Sequence, residues 1–360
     1  MSVDLTPPPP APRLEDNPSL RQAQLPRLAA WGILAAGVVL FAVLRFGLGL
    51  GSVAAVVLAW LVVIVALPSW SLAVEGSRKA TDRLVTAFVA SAFALAMVPL
   101  VQIMYTVVKN GAPVLSGQFF TYSMRNVVGE GGGIYHAIIG TLLITAAATV
   151  MSVPIGMFTA IYLVEYGDDG RLSRWITFLV DVMTGIPSIV AGLFAYALFV
   201  IFFGEGVRMG FVGAVALSVL MIPVVVRSVE EMLKLVPNEL REASYALGVS
   251  KWRTIAKIVV PTALAGIVTG ITLAIARVIG ETAPLLIVAG VSDSMNFNIF
   301  DGRMATLPVF AFNSIQSPGV PPGPSIDRAW GAALVLMMIV MLLNLVARLI
   351  SYFFSPKGER

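Results

Sequence analysis

Eight long apolar runs constrain the fold of this chain more than any other feature of its sequence. A helix that crosses the hydrocarbon core of a bilayer needs about 20 residues, at about 1.5 Å each. Such a helix also bonds its own backbone amides, for which lipid offers no partners. We therefore predict an all-α fold, a polytopic membrane bundle of about eight transmembrane helices. The runs lie at about 28–46, 50–67, 85–108, 135–163, 175–203, 211–227, 256–290 and 329–351.

The composition agrees with a membrane chain and excludes several kinds of site. Only 12% of the residues are charged and 58% are hydrophobic, whereas soluble domains have about a quarter charged residues. Because the sequence has no cysteine and a single histidine, His136, it excludes disulfides and Cys- or His-based metal centres. We predict no bound metal. The net charge of +4 is interpreted as Lys and Arg in cytoplasmic loops, not as a surface for nucleic acid.

The distribution of positive charge predicts the orientation. Cytoplasmic loops of membrane proteins are enriched in Lys and Arg. With eight spans and both termini in the cytoplasm, most of the 24 Lys and Arg residues face inside and Arg277 falls within a span. We therefore predict a multi-pass protein of the plasma (inner) membrane with cytoplasmic N- and C-termini. The cations left outside are Arg45, Lys109, Arg125, Arg208, Arg303 and Arg328.

The chain ends and the interrupted runs lead to further predictions. Residues 1–27 are polar and proline-rich, which is typical of a disordered tail, and no signal-peptide pattern precedes the first run. Residues 352–360 form a second predicted cytoplasmic tail. The longest runs contain "SVPIG", "TGIPSIVAG" and "TAPLL", in which Pro and Gly favour kinks or broken helices.

A charged stretch, residues 238–261, lies between two of the apolar runs. Apolar and charged residues alternate along it, which predicts short helices along the membrane surface, interrupted at Gly248. Pro261 would begin the next membrane helix, where its missing N–H costs little. Taken alone, this pattern fits a loop helix that rests on lipid headgroups.

The spacing within this stretch resembles the cytoplasmic "EAA" loop of ABC importer permeases. The resemblance consists of Glu242-Ala243-Ser244, three residues, Gly248, nine residues and then Ile258-Val259-Val260-Pro261. In that family the loop is a coupling helix that docks on a separate ATPase, and a helix in a groove uses apolar anchors with a charged rim. The resemblance implies that the ATPase-coupling residues are Glu242, Ala243, Ser244, Tyr245, Leu247, Gly248, Trp252 and Pro261.

Further motifs resemble the A-type permease of the phosphate-specific importer, within the MetI-like permease family. In chain order they are "GGGIYHAIIGTLLIT", "DVMTGIPSIVAGLFAY", "ARVIGETAPLL" and "MATLPVFAFN". The resemblance covers residues 80–351 and implies a six-helix ABC type I permease domain, so that helices at 28–67 are two additions. It also implies partners: a C-type permease, an ATPase dimer, an extracytoplasmic phosphate-binding protein and membrane lipid.

Arg277 and Glu281 are charged residues within a predicted span. An ionised side chain at membrane depth costs a few kcal/mol, so it faces a partner or a wet cavity. Four residues apart on a helix, the two would share a face and could pair. Either the pair locks the bundle, or Arg277 presents its charge to an anion in a substrate pathway that Gly280 and Thr282 also line.

The sequence contains no G-x-x-x-x-G-K-[ST] loop, so we predict that ATP and Mg bind a partner and that this chain binds no cofactor. We predict no catalytic residues, because Ser188 has no apparent His or Lys partner and Glu281 no second carboxylate. The predicted function is a transport subunit for inorganic phosphate that works by alternating access. The alternatives are a C-type subunit, a permease for sulfate or molybdate, or an ATP-independent secondary transporter.

Overall fold

The computed structural model describes residues 24–26, 28–167 and 170–354, and within these ranges the secondary structure is helical, without strands. The predicted tails lie outside the described residues, except for 24–26 and for 352–354, which belong to the last helix. The chain divides into two compact units, Met1–Met104 and Tyr105–Arg360. The all-α prediction is confirmed.

The first unit contains α1 (Ala29–Ala42), α2 (Ser52–Glu75) and most of α3 (Ser77–Gly111). α1 and α2 approach closely at Gly37, where an added Cβ would lie 2.5 Å from the Cγ2 atom of Val63. At the other end of α2, the buried Glu75 carboxylate accepts hydrogen bonds from Arg83, Ser71 and the backbone N–H of Leu25. A polar cluster therefore joins α2, α3 and the segment before α1.

The second unit contains the remaining helices. They are α4 (Gly117–Thr121), α5 (Tyr135–Ile161), α6 (Arg171–Thr184), α7 (Ser188–Phe203), α8 (Gly210–Lys234), α9 (Asn238–Ala246), α10 (Lys251–Thr254), α11 (Val260–Val278), α12 (Ala283–Val288), α13 (Leu307–Gln316) and α14 (Gly323–Phe354). Single π-helical turns extend α5 over Tyr162–Tyr166 and join α10 to α11 over Ile255–Val259.

α8 is the central helix of this unit, because α5, α6, α7, α11 and α12 all pack on it. Small residues make the close contacts, as in other membrane bundles. A Cβ added to Gly156 on α5 would lie 2.6 Å from Val225 Cγ1, and one added to Gly270 on α11 would lie 2.6 Å from Ser228 Cβ. The α5, α8 and α11 backbones are therefore closely packed around a buried apolar core.

Among the described residues, seven helices are long and apolar enough to span a membrane, or up to eight spans if one bent pair is a single span. Seven of the predicted spans thus correspond to helices of sufficient length, although the helix in the one predicted at 256–290 ends at Val278. The eighth, 175–203, is not one straight helix: α6 and α7 meet at 108° across residues 185–187. Pro187 disfavours a helical conformation at the residue before it, which is why the helix breaks there.

Candidate coupling loop and anion pathway

The predicted coupling loop consists of α9, a turn at Gly248, and α10. Gly248 has a φ of +74°, in the left-handed region that favours glycine. The N–H groups of Gly248 and Val249 donate to the carbonyls of Tyr245 and Ser244, which closes the end of α9. The prediction of short helices interrupted at Gly248 is confirmed.

A hydrogen bond inside the loop fixes the angle between α9 and α10. The hydroxyls of Ser244 and Thr254 lie 2.8 Å apart, and both residues are buried. Ser244 therefore shapes the loop instead of forming its surface. The sequence motif groups Ser244 with the predicted contact residues. It does not show which residues of the motif are buried and which are at the surface.

The other predicted coupling residues lie at the surface of this chain. Leu247 is 83% exposed and Trp252 is 61% exposed, while Val259 is buried and anchors the following turn. Exposed large apolar side chains mark a surface for contact with a partner or with lipid, so Leu247 and Trp252 belong to a candidate contact surface. We call this group the coupling surface; it consists of Glu242, Ala243, Tyr245, Leu247, Gly248 and Trp252, all exposed. Pro261 lies in the first turn of α11 and is also exposed.

Arg241 connects the coupling loop to the membrane helices and was missed by the sequence analysis. Its guanidinium donates to Glu165 Oε1 over 2.8 and 3.1 Å, and to the carbonyls of Leu233 and Val236 over 3.0 and 2.7 Å. The side chains of Arg241 and Glu165 are only 13% and 4% exposed. α9 is therefore attached to both α5 and α8.

A second contact reaches the same end of α5 from α10. The Lys251 ammonium lies 4.8 Å from the centre of the Tyr166 ring, a cation–π contact next to Glu165 in the π turn. The two arms of the loop thus both contact the last turn of α5.

Asp181, near the C-terminal end of α6, has a charged partner on α8. It pairs with Arg227 on α8, which also pairs with Glu230 at 2.8 Å; Lys234 pairs with Glu230 at 2.7 Å. This chain of charges attaches α6 to α8. It could not be predicted, because α6 and α8 are separated by the bend and by α7.

Arg277 and Glu281 do not form the ion pair that was one of the two arrangements left open by the sequence. Neither side chain forms an ion pair within the described part of the chain. The two residues do not lie on one helix, because α11 ends at Val278, whose carbonyl accepts a hydrogen bond from the N–H of Glu281 over 3.1 Å. Arg277 is exposed and Glu281 half-buried.

The break at 279–282 lies part-way along α8. α11 is antiparallel to α8, with Gly270 against Ser228, and α12 continues beside the far end of α8, where Leu285 packs on Gly213. The break therefore separates α11, which with α10 and the π turn is long enough to span a membrane, from the short helix α12. A broken helix at membrane depth is tolerated where it is covered by protein or lines a wet cavity.

The four predicted pathway residues lie together at this break. Arg277 is in the last turn of α11, exposed Gly280 and half-buried Glu281 follow, and half-buried Thr282 precedes the first turn of α12. An ionised Arg277 at this depth requires a counter-charge, water or a neighbouring subunit. The arrangement is therefore able to bind an anion.

The comparisons with known proteins agree with this architecture. Residues 152–359 match the family "Binding-protein-dependent transport system inner membrane component". The chain is 48% identical over 279 residues to phosphate transport system permease protein PstA 1 of Mycobacterium tuberculosis H37Rv, covering 76% of this chain and 89% of that protein. It is 40% identical to PstA of Pasteurella multocida, over 71% of this chain and 88% of that protein.

Two solved structures share the fold. An inward-facing form of the MetNI methionine ABC transporter has a TM-score of 0.51 at 18% identity and covers 67% of this chain and 100% of its own. A bacterial alginate ABC transporter has a TM-score of 0.55 at 12% identity, with 78% and 97% covered. With the PstA relatives matched along most of their length, these findings show that the chain belongs to the family of binding-protein-dependent transport system inner membrane components.

Proposed function

We propose that this chain is the A-type permease subunit of an ATP-driven importer that moves inorganic phosphate across the plasma membrane by alternating access. The observation that carries the proposal is the coupling loop, a rigid two-helix projection with exposed apolar side chains, attached to α5 and α8 through Arg241 and Glu165. The substrate is inferred from the PstA relatives.

The coupling surface contacts an ATPase dimer, which binds the ATP and Mg. Leu247 and Trp252 are the apolar anchors and Glu242 belongs to the charged rim of a helix-in-groove contact. Closure of the ATPase dimer displaces the loop, and the Arg241–Glu165 pair transmits this movement to α5 and α8. The bundle then alternates between outward- and inward-open states. This chain itself performs no catalysis.

Arg277 presents positive charge to the phosphate that crosses the bundle. Phosphate carries one to two negative charges, and an Arg guanidinium offers two parallel donors to its oxygens. The absence of an ion pair with Glu281 supports this role over a bundle-locking pair, because the guanidinium is left available. Gly280 and Thr282 line the same break, and a C-type permease subunit completes the pathway.

The proposed assembly has one further partner, an extracytoplasmic phosphate-binding protein that delivers the substrate. The coupling loop then faces the cytoplasm, as do both chain termini. Proteoliposomes that contain the whole complex test the function. We expect ATP-dependent uptake of phosphate only with all partners present, and ATP hydrolysis stimulated by phosphate.

The same preparation distinguishes the alternatives. Stimulation of ATP hydrolysis by sulfate or molybdate, and not by phosphate, would identify another oxyanion as the substrate. Uptake by this chain without an ATPase would identify a secondary transporter and overturn the proposal. If the second permease subunit could replace this chain in the complex without loss of uptake, this chain would not be a distinct A-type subunit.

A further inference from the structure

Two arginines predicted to face outside are held on either side of the end of α12. Arg208 and Arg303 each precede a buried methionine. The N–H of Met209 donates to the carbonyl of Val288 over 3.0 Å, and the N–H of Met304 donates to the next carbonyl, Ala289, over 3.1 Å. Two separate segments are thus attached to consecutive residues of one helix end, which fixes the backbone positions of both arginines.

Gly290 brings the two arginine side chains together. It has a φ of +75°, and a Cβ added there would lie 3.2 Å from Arg208 Cδ and 3.4 Å from Arg303 Cδ. The two Cδ atoms therefore cannot be farther apart than the sum of these distances. Each guanidinium carbon lies two bonds beyond its Cδ atom, so rotation of the side-chain ends can bring both groups to one small ligand.

Neither guanidinium has an ion-pair or hydrogen-bond partner in the ranges 24–26, 28–167 and 170–354, and both residues are exposed. Acidic residues exist on the adjoining segments, namely Glu205, Asp293 and Asp301, but none of them pairs with either arginine. Positive charge is also uncommon on the outer side of membrane proteins. Two converging, uncompensated cations there attract an anion.

We propose that Arg208 and Arg303 form an outer anion site that binds a phosphate group at the end of α12. Each planar guanidinium group can donate two parallel hydrogen bonds to the oxygens of a phosphate group, whereas the ammonium group of a lysine cannot. The site is separated from the break beside Arg277 by α12, which is about 9 Å long. If the ligand is free phosphate, the inference rests on the proposed function, and the site would bind phosphate before it reaches Arg277. If the ligand is a lipid, the same two guanidinium groups would bind the phosphate of its headgroup.

The test uses the full chain in nanodiscs and the double variant R208Q/R303Q. In the first arm, the lipid is zwitterionic, and broadening of the ³¹P signal of inorganic phosphate at low salt measures binding. In the second arm, the discs contain phosphatidylglycerol, and native mass spectrometry counts the retained lipid. The variant R208K/R303K keeps the positive charge but removes the parallel N–H donors of the two guanidinium groups. As a control, Arg125→Gln removes one exposed cation from the same predicted side of the membrane.

We expect the double Gln variant to weaken phosphate binding about tenfold, the Lys variant by about threefold, and Arg125→Gln not to change it. If the double Gln variant is not recovered folded, R303Q alone and the Lys variant give the same comparison. A loss confined to the second arm would assign the site to a lipid headgroup. No change in either arm, or an equal loss in Arg125→Gln, would overturn the proposal. Because binding is measured on this chain alone, an importer that fails to move phosphate would refute only the proposed function.

Discussion

Gly192 on α7 lies against Pro284 on α12, so closely that an added Cβ would be 2.7 Å from the Pro284 Cα atom. The two residues belong to separate motifs, "GIPSIVAG" and "TAPLL", each of which follows a helix break. The contact brings the helices after both breaks together. It also makes the size of residue 192 critical, because the neighbouring atom is backbone and cannot move alone.

We predict that Gly192→Ala destabilises the protein by about 1–3 kcal/mol, the usual effect of overpacking. Gly185→Ala is the matched control, because its Cβ would meet only the Val182 carbonyl oxygen at 3.6 Å and Gly185 has an ordinary negative φ. Thermal unfolding of both variants in the same detergent measures the difference. Equal unfolding temperatures would contradict the close contact.

The Arg241–Glu165 pair is predicted to be needed for coupling. Arg241→Gln leaves the Glu165 carboxylate buried without its partner, and breaking a buried pair typically costs about 3–5 kcal/mol. We expect α9 to detach locally, with loss of uptake and ATP hydrolysis that no longer responds to substrate. Lys257→Gln, which removes an exposed cation nearby, should leave both activities unchanged.

A double-mutant cycle with Glu165→Gln separates this pair from general damage. If the two side chains act together, the double variant should be about as impaired as the more impaired single variant. Additive losses would show that Arg241 and Glu165 act independently.

The coupling surface yields a third prediction. Leu247→Asp and Glu242→Lys should each weaken association with the ATPase by at least about tenfold, because anchor residues carry most of the binding energy of an interface. Both residues are exposed, so the spans should remain folded. Glu239→Lys makes the same charge change one turn earlier on α9 and serves as the control. ATPase capture at wild-type levels by the first two variants would argue against the surface.

Gly248→Asp addresses the turn itself. A residue with a Cβ is strained at a φ of +74°, so the substitution should alter the angle between α9 and α10. We expect loss of transport with the ATPase bound more weakly.

Arg277→Gln is predicted to abolish phosphate uptake while the assembled complex still hydrolyses ATP. Because Arg277 is exposed and forms no ion pair with a described residue, its removal should not lower the unfolding temperature. Arg277→Lys keeps the charge but not the two parallel donors and should retain part of the uptake. Uptake by Arg277→Gln at the wild-type rate would refute the role in the pathway.

The sequence was sufficient for features that depend on local chemistry. Run lengths predicted eight spans, seven of which appear in the described residues as single helices of sufficient length, and Gly248 predicted the turn because a positive φ favours glycine. The possible pairing of Arg277 with Glu281 assumed an uninterrupted helix, whereas α11 ends at Val278. Pro284 alone does not predict this break, because α2, α5 and α8 each continue through an internal proline.

Long-range pairs were beyond prediction from one sequence. Arg241 and Glu165 are 76 positions apart, and nothing local to either residue indicates the other. The same holds for Arg208 and Arg303, which meet only because two backbone hydrogen bonds attach their segments to α12. The sequence therefore did not indicate the residues that link one helix to another, whereas it did indicate those that determine where a helix or turn forms.

The interruption at 279–282 separates a helix that is long enough to cross a bilayer from a short helix with other neighbours. α11 is continuous with the coupling loop through a π turn, whereas α12 is held by α7 and by the backbones of Met209 and Met304. Under the proposed function, a displacement of the loop would therefore reach α11 first, while α12 would stay with its own neighbours. Arg277, in the last turn of α11, would then change its position relative to α12.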